Sequence, residues 1–245
     1  MSGKFLSRLF GTKKRSKNTE RKVDIVVKKG DMSSISECYN TLKDNILFIS
    51  GENKAQVIQI ESAVKSEGKT TVCCNLAVSL SFNEKKVLII DLDFRRPHVN
   101  RFFSLPNENG IVDYMSDKVS LDDIIKSTEY AGLDIITRGT EIFNPSLLLT
   151  SEKFSELIAS LRDKYDYIFL DSAPVLQVSE YIHILKISDG VLFVVACGQT
   201  QKKEIHEASE LLKKSGARVL GSVMNFYNVR SNGYYGSKYY SYRGE

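Results

Sequence analysis

No apolar run in this 245-residue chain approaches the roughly 18–20 residues that cross a bilayer. Its first residues also lack the apolar core of a secretory signal. The four cysteines, Cys38, Cys73, Cys74 and Cys197, show no metal-ligand spacing, and the adjacent Cys73 and Cys74 are badly placed to pair with each other. Reduced thiols and a cytoplasmic location are therefore expected. No internal repeat is found, which leaves one large α/β domain or two small ones. Excess charge is missing from most of the chain as well. The formal net charge is +4, but residues 1–30 hold ten Lys/Arg against Glu20 and Asp24, a local +8 that leaves −4 on the remainder. The basic character belongs to an N-terminal arm, taken as residues 1–34, and no nucleic-acid partner is expected. With 42% hydrophobic and 26% charged residues, the chain has the composition of an ordinary soluble globule.

The arm places Phe5, Leu6, Leu9 and Phe10 on one face of a short helix beside Lys4 and Arg8. Two readings stay open: a weak membrane-surface or partner-docking element, or a solvated arm. Beyond it, residues 36–50 have helical spacing, with Tyr39, Leu42, Ile46 and Ile49 at core positions. Val57–Ile60 reads as a strand, followed by a small polar loop and a helix through residues 75–82. KVLIIDLD, residues 86–93, reads as a fully buried parallel strand. Short helices are expected after Pro97, over 110–115 and over 121–126, then a strand over 133–136. Asn144-Pro145 opens a long amphipathic helix to about Asp163. Strands over 166–171, 190–196 and 218–225 alternate with helices over 178–187 and 201–214. This alternation predicts a mainly parallel twisted sheet with helices on both faces. The last segment, residues 226–245, holds six of the chain's twelve tyrosines among Gly and Ser, with no helical or strand period. It is a tail, taken as residues 228–245.

Three apolar strands end in chemistry. The first runs into Gly68-Lys69-Thr70-Thr71 and a helix, the order of a phosphate cradle: backbone N–H groups face the anion, Lys69 adds a point charge, and Thr70 offers a hydroxyl for Mg²⁺. The pattern G-x-x-x-x-G-K-[ST] is incomplete, because Ala63 stands at its first glycine. A GKT triplet alone is weak evidence. The second strand ends in Asp91 and Asp93, and the third in Asp171. Ordinary readings are a helix cap for Asp91 or Asp93 and a strand-end turn for Asp171. Two neighbouring carboxylates repel each other, and a divalent cation relieves that cost.

VLIIDLDFRRP (residues 87–97) and DYIFLDSAPV (166–175), together with Lys69-Thr70, resemble the bacterial tyrosine kinases of capsular and exopolysaccharide synthesis. The likeness extends from about Glu37 to the C-terminus and includes NPSLLLTSEKF, DGVLFVV, GSVMN and the tyrosine cluster. It implies a P-loop NTPase fold of the MinD/ParA type, a kinase domain over residues 35–227, and ATP with Mg²⁺ as cofactors. Residues Glu67, Gly68, Lys69, Thr70 and Thr71 would form the nucleotide loop, with Lys69 on the β/γ-phosphates. Thr70 and Asp171 would hold Mg²⁺, and Asp93 would assist at the metal. Asp91 would accept or orient the tyrosine proton. Arg95 and Arg96 would meet charge at the γ-phosphate or a neighbouring subunit, and Asn225 would read the adenine edge. Tyr234, Tyr235, Tyr239, Tyr240 and Tyr242 would be the phosphate acceptors. The resemblance further implies a transmembrane polysaccharide co-polymerase-type adaptor that activates the kinase at the inner face of the membrane, a cognate phosphotyrosine phosphatase, and a homo-oligomer.

Departures from that pattern carry expectations of their own. The family's P-G-E-G-K reads Lys65-Ser66-Glu67-Gly68-Lys69 here, and Ser66 is costlier than glycine if its φ is positive. The E-x-x-R-x-x-R assembly motif reads Glu37-x-x-Asn40-x-x-Lys43, and Lys cannot reproduce a bidentate Arg contact. The alternatives are a MinD/ParA-like ATPase that switches a partner without phosphorylating protein, and a catalytically degraded scaffold. The former usually carries a signature lysine where Val64 stands and has no tyrosine tail.

Overall fold

Side-chain alternation along the central strands sets the architecture. The structure, a computed structural model, describes residues 24–53 and 55–227; the Phe5–Phe10 cluster and the five tail tyrosines lie outside them. The strands are β1 (Val57–Ser62), β2 (Val87–Asp91), β3 (Ile125–Ser127), β4 (Leu133–Ile136), β5 (Tyr167–Asp171), β6 (Gly190–Ala196) and β7 (Val219–Asn225). They form one sheet in the order β3-β4-β2-β5-β1-β6-β7, parallel except for β3 against β4. Ile58 and Ile60 of β1, Ile89 of β2 and Leu192 and Val194 of β6 enter one core with α1 (Ser34–Asn53) and α2 (Lys69–Ser81). Their neighbours in sequence turn the other way. Val57, Leu88 and Ile90 meet α7 (Glu152–Arg162), and Val191 and Phe193 meet α9 (Lys202–Lys214). Both faces are covered, as the near-continuous apolar runs require.

The remaining helices are short: α3 (Val99–Phe102), α4 (Ile111–Met115), α5 (Leu121–Ile124), α6 (Pro145–Leu149) and α8 (Tyr181–Leu185). Strand order places β1 between β5 and β6, while the chain leaves β1 for β2 and later crosses from β5 to β6. Loops therefore part at the carboxyl end of β1, where open α/β sheets hold their ligands.

Three expectations are corrected. The helix over 121–126 stops at Ile124, and Ile125–Ser127 pairs antiparallel with β4 as an edge strand. The long helix from Asn144 is two helices. Ser151 accepts a hydrogen bond from the Phe154 N–H at 3.2 Å and starts α7 anew, because a serine hydroxyl serves a helix start better than an interior. Finally, the folded unit begins before residue 35: the Val26 and Val27 N–H groups donate to Asn75 Oδ1 at 2.8 and 3.3 Å, and Val27 is buried.

The end of the sheet remote from β1's carboxyl terminus is tied by Asp189. Its carboxylate accepts from the Gln56 and Val57 N–H groups at 2.8 and 2.7 Å and from both Arg162 nitrogens at 2.8 and 2.9 Å. Burial works against that charge, but the Arg162 and backbone bonds outweigh it and hold the acid below its ordinary value. Stability from a depressed acid is present above its unfolded pKa and lost as pH falls through the folded one. Asp189→Asn is expected to cost about 2 kcal/mol at pH 7. In denaturant titrations, the gap to wild type should close as the pH drops below the ordinary carboxylate range.

Candidate active site

Between β1 and α2 the chain makes a tight loop. Two of its residues have left-handed backbone: Ser66 at φ 68° and Gly68 at φ 83°. A Cβ on Gly68 would sit 2.0 Å from Asn225 Nδ2, so only glycine fits there. Serine at 66 pays the conformational cost expected of it. Lys69, Thr70 and Thr71 open α2, where the first N–H groups have no intrahelical acceptor and are available to an anion.

Lys69 and Thr70 converge on Asp171 at the end of β5. Lys69 Nζ donates to Oδ1 at 2.8 Å and Thr70 Oγ1 to Oδ2 at 2.7 Å. Burial opposes the Lys69 charge, but Asp171 holds the ammonium protonated more firmly than usual. Asp91 and Asp93 stand alongside. Burial raises both acids; Asp171 adds to the rise at Asp91, whereas Lys69 works against it at Asp93. One ammonium thus serves three carboxylates, a deficit of positive charge that a divalent cation would make good. Among the described residues no group of three His, Cys, Asp or Glu side chains has cation-holding geometry. Mg²⁺ needs none, since it takes one or two carboxylates and completes its shell with phosphate oxygens and water. Thr70, Asp171 and Asp93 fit that requirement.

Asp91 is placed differently from expectation. It is fully buried, and its oxygens accept from the N–H groups of Asp93 (3.2 Å), His98 (3.0 Å) and Val99 (3.1 Å). These bonds tie the loop after β2 to the start of α3. Asp93 is half-buried, and its bonds from the Arg95 and Arg96 N–H groups, at 3.3 and 2.9 Å, use only Oδ1. Arg95 is exposed and pairs with Glu180 at 3.4 Å; Arg96 is exposed beside it.

Other expected residues take supporting positions. Glu67 is buried, with its carboxylate turned inward. Asn225 donates to the Glu67 carbonyl at 2.9 Å and accepts from the Phe226 N–H at 2.9 Å, leaving one amide hydrogen for an adenine edge. Glu37 and Asn40 are exposed on α1, with Asn40 accepting from Ser79 at 3.2 Å. Lys43 is buried, bonded to Asn83 and Asp44 at 3.2 Å each, and so is spent inside the chain rather than offered to a neighbour.

Sequence reasoning missed a buried cluster beneath the loop. Glu61 of β1 accepts from Ser172 at 2.5 Å and Gln59 at 2.6 Å. Burial pushes its acid up to about 8, against the opposing pull of Ser172 and Lys69. Glu61 Oε2 and Gln59 Oε1 have no partner. The signal was two polar residues alternating with Ile58 and Ile60 in an otherwise apolar strand.

Comparisons with known proteins agree with this fold. Residues 55–220 match the AAA domain family. The tyrosine-protein kinase YwqD of Bacillus subtilis (strain 168) is 34% identical over 206 residues, covering 83% of this chain and 87% of that one. The crystal structure of the chimerical protein CapA2B2 superposes with a TM-score of 0.78 at 34% identity, over 82% of this chain and 88% of that one. The cell-division ATPase MinD of Pyrococcus furiosus follows at 0.61 and 27%, over 73% and 74%.

Two outcomes test the site's construction. A raised acid contributes stability below its unfolded pKa and loses it as pH climbs to the folded value. Glu61→Gln should therefore match wild type near pH 5 and melt higher by on the order of 5 °C at pH 8. At φ 68° a β-branched residue is a strained outlier. Ser66→Val should weaken Mg-ADP binding about tenfold in calorimetric titration, while Ser66→Gly retains it.

Proposed function

The chain belongs to the bacterial tyrosine-protein kinases, and on that footing we propose that it transfers the γ-phosphoryl of ATP to tyrosines of its own C-terminal cluster. The observation that carries this reading is the convergence of Lys69 and Thr70 on Asp171 beside Asp91 and Asp93, at the carboxyl ends of adjacent strands. Phosphoryl transfer asks a protein mainly for positioning and charge. The N–H groups of Gly68–Thr71 receive phosphate oxygens. Lys69 turns from Asp171 to the β/γ-phosphates, which frees the Asp171 carboxylate. Thr70 and Asp171 would hold Mg²⁺, which would neutralise charge shared between phosphates and carboxylates. Asp93, with Oδ2 unspent and its side chain half-buried, takes over from Asp91 the task of orienting the tyrosine hydroxyl and receiving its proton. Asp91 fixes the loop that presents Asp93 and Arg95. The Arg95 guanidinium, anchored at Glu180, meets charge on the γ-phosphate. Asn225 uses its remaining amide hydrogen on the base.

In this reading Tyr234, Tyr235, Tyr239, Tyr240 and Tyr242 are the acceptors. Residues 228–245 extend at most ~60 Å, which permits transfer within a chain or between chains. Each phosphate adds roughly −1.5 to −2 charge to the tail and loosens self-assembly. A transmembrane adaptor of the polysaccharide co-polymerase type recruits and activates the kinase at the inner face of the membrane, a phosphotyrosine phosphatase reverses the reaction, and the pathway served is capsule or exopolysaccharide synthesis. No helix among the described residues is long and apolar enough to cross a membrane.

Incubation with Mg-ATP, alone and with the adaptor's cytoplasmic end, should produce phosphotyrosine that disappears with Lys69→Met. Replacing the five tail tyrosines by Phe should abolish self-phosphorylation while nucleotide binding persists. ATP hydrolysis without phosphotyrosine would instead favour a MinD-like switch, and absence of nucleotide binding a scaffold.

A further inference from the structure

The Glu67 side chain holds together three parts of the chain that meet at the loop. It is 2% exposed. Oε2 accepts the Val64 N–H at 2.7 Å, closing the turn that contains Ser66. Oε1 accepts the Ala196 N–H at 3.3 Å, at the end of β6, and a short hydrogen bond from the Thr200 hydroxyl. Thr200 is itself fixed: its oxygen accepts from the Ala196 N–H at 3.3 Å, and its own N–H donates to the Ala196 carbonyl at 3.1 Å. From β7, Asn225 reaches the Glu67 carbonyl. A left-handed serine persists only where its surroundings over-determine it, and this clamp is the surrounding structure at Ser66.

We propose that Thr200 is a positioning residue for phosphate binding. Its hydroxyl fixes the Glu67 carboxylate, Glu67 fixes the Val64 N–H, and the closed turn keeps Ser66 left-handed, so that the backbone entering α2 is already set to receive phosphate oxygens. Nothing in the sequence marks Thr200, which lies 133 residues from Glu67. Preorganisation of this kind acts on affinity, because the ordering cost is met before the ligand arrives. The inference rests on the reading of this loop as the ATP phosphate site.

The test compares Thr200→Val, Thr200→Ser, and Thr200→Val combined with Ser66→Gly in the full chain. Valine keeps the shape and removes the hydroxyl, serine restores it, and glycine at 66 removes the strain that the clamp opposes. Thr200→Val is expected to raise both the Mg-ADP Kd and the KM for ATP about tenfold, the scale of one lost bond to a charged group. The kcat for phosphotyrosine formation should change less than about twofold. Thr200→Ser should stay close to wild type, and Ser66→Gly should recover most of the loss. Unchanged affinity in Thr200→Val overturns the proposal, as does a loss that Thr200→Ser shares and Ser66→Gly leaves in place. Amide hydrogen exchange without nucleotide supplies an independent readout: the Val64 amide should exchange faster in Thr200→Val but not in Thr200→Ser. If wild type binds no Mg-ADP, the ATP reading fails, and the exchange comparison still decides the clamp.

Discussion

One buried ammonium faces three carboxylates at the carboxyl ends of β2 and β5, and much of the surrounding structure exists to sustain that imbalance. Asp171 is compensated directly by Lys69 and Thr70. Asp91 is compensated by backbone N–H groups. Asp93 is compensated least and stands nearest solvent. The division of labour follows from solvation. A carboxylate surrounded by N–H donors becomes a strut, while one left half-hydrated stays free for chemistry.

The same logic separates the two ends of the sheet. At the far end Asp189 is fully paired with Arg162 and two N–H groups, and its acid is stabilised. At the near end Asp91, Asp93 and Glu61 are all pushed toward protonation. Acids destabilised by their setting mark functional sites more often than structural ones. Here the contrast lies within one molecule, between carboxylates about one strand length apart.

Much of this was legible in the residues. The apolar runs ending in Asp91 and Asp171 placed β2 and β5, because a fully buried parallel strand leaves a plain pattern. Ser66 was marked as costly if left-handed, and it is left-handed. What escaped reading depends on contacts distant in sequence. The hydroxyl of Thr200 acquires meaning only through a carboxylate more than a hundred residues away. Asp91 and Asp93 look equivalent in DLD, and only the turn of the following loop toward Asp91 distinguishes the buried, N–H-bonded carboxylate from the half-buried one. The broken helix at Ser151 and the edge strand at Ile125 were local contests between propensities, decided by a cap and by pairing with β4.

Asn225 closes the last strand against Gly68, the tightest point of the phosphate loop. The final described residue, Tyr227, lies two positions beyond it. The C-terminal segment thus leaves the fold at the mouth of the site, and Tyr234, the first tyrosine of the proposed acceptor cluster, lies seven residues beyond Tyr227, a reach of at most about 23 Å. A tether this short gives effective concentrations on the order of millimolar. Substrate choice then need not be written into a specificity pocket. Under the proposed self-phosphorylation, attachment would enrich the chain's own tyrosines and leave the surface around Asp93 free to be permissive about the residues that flank them.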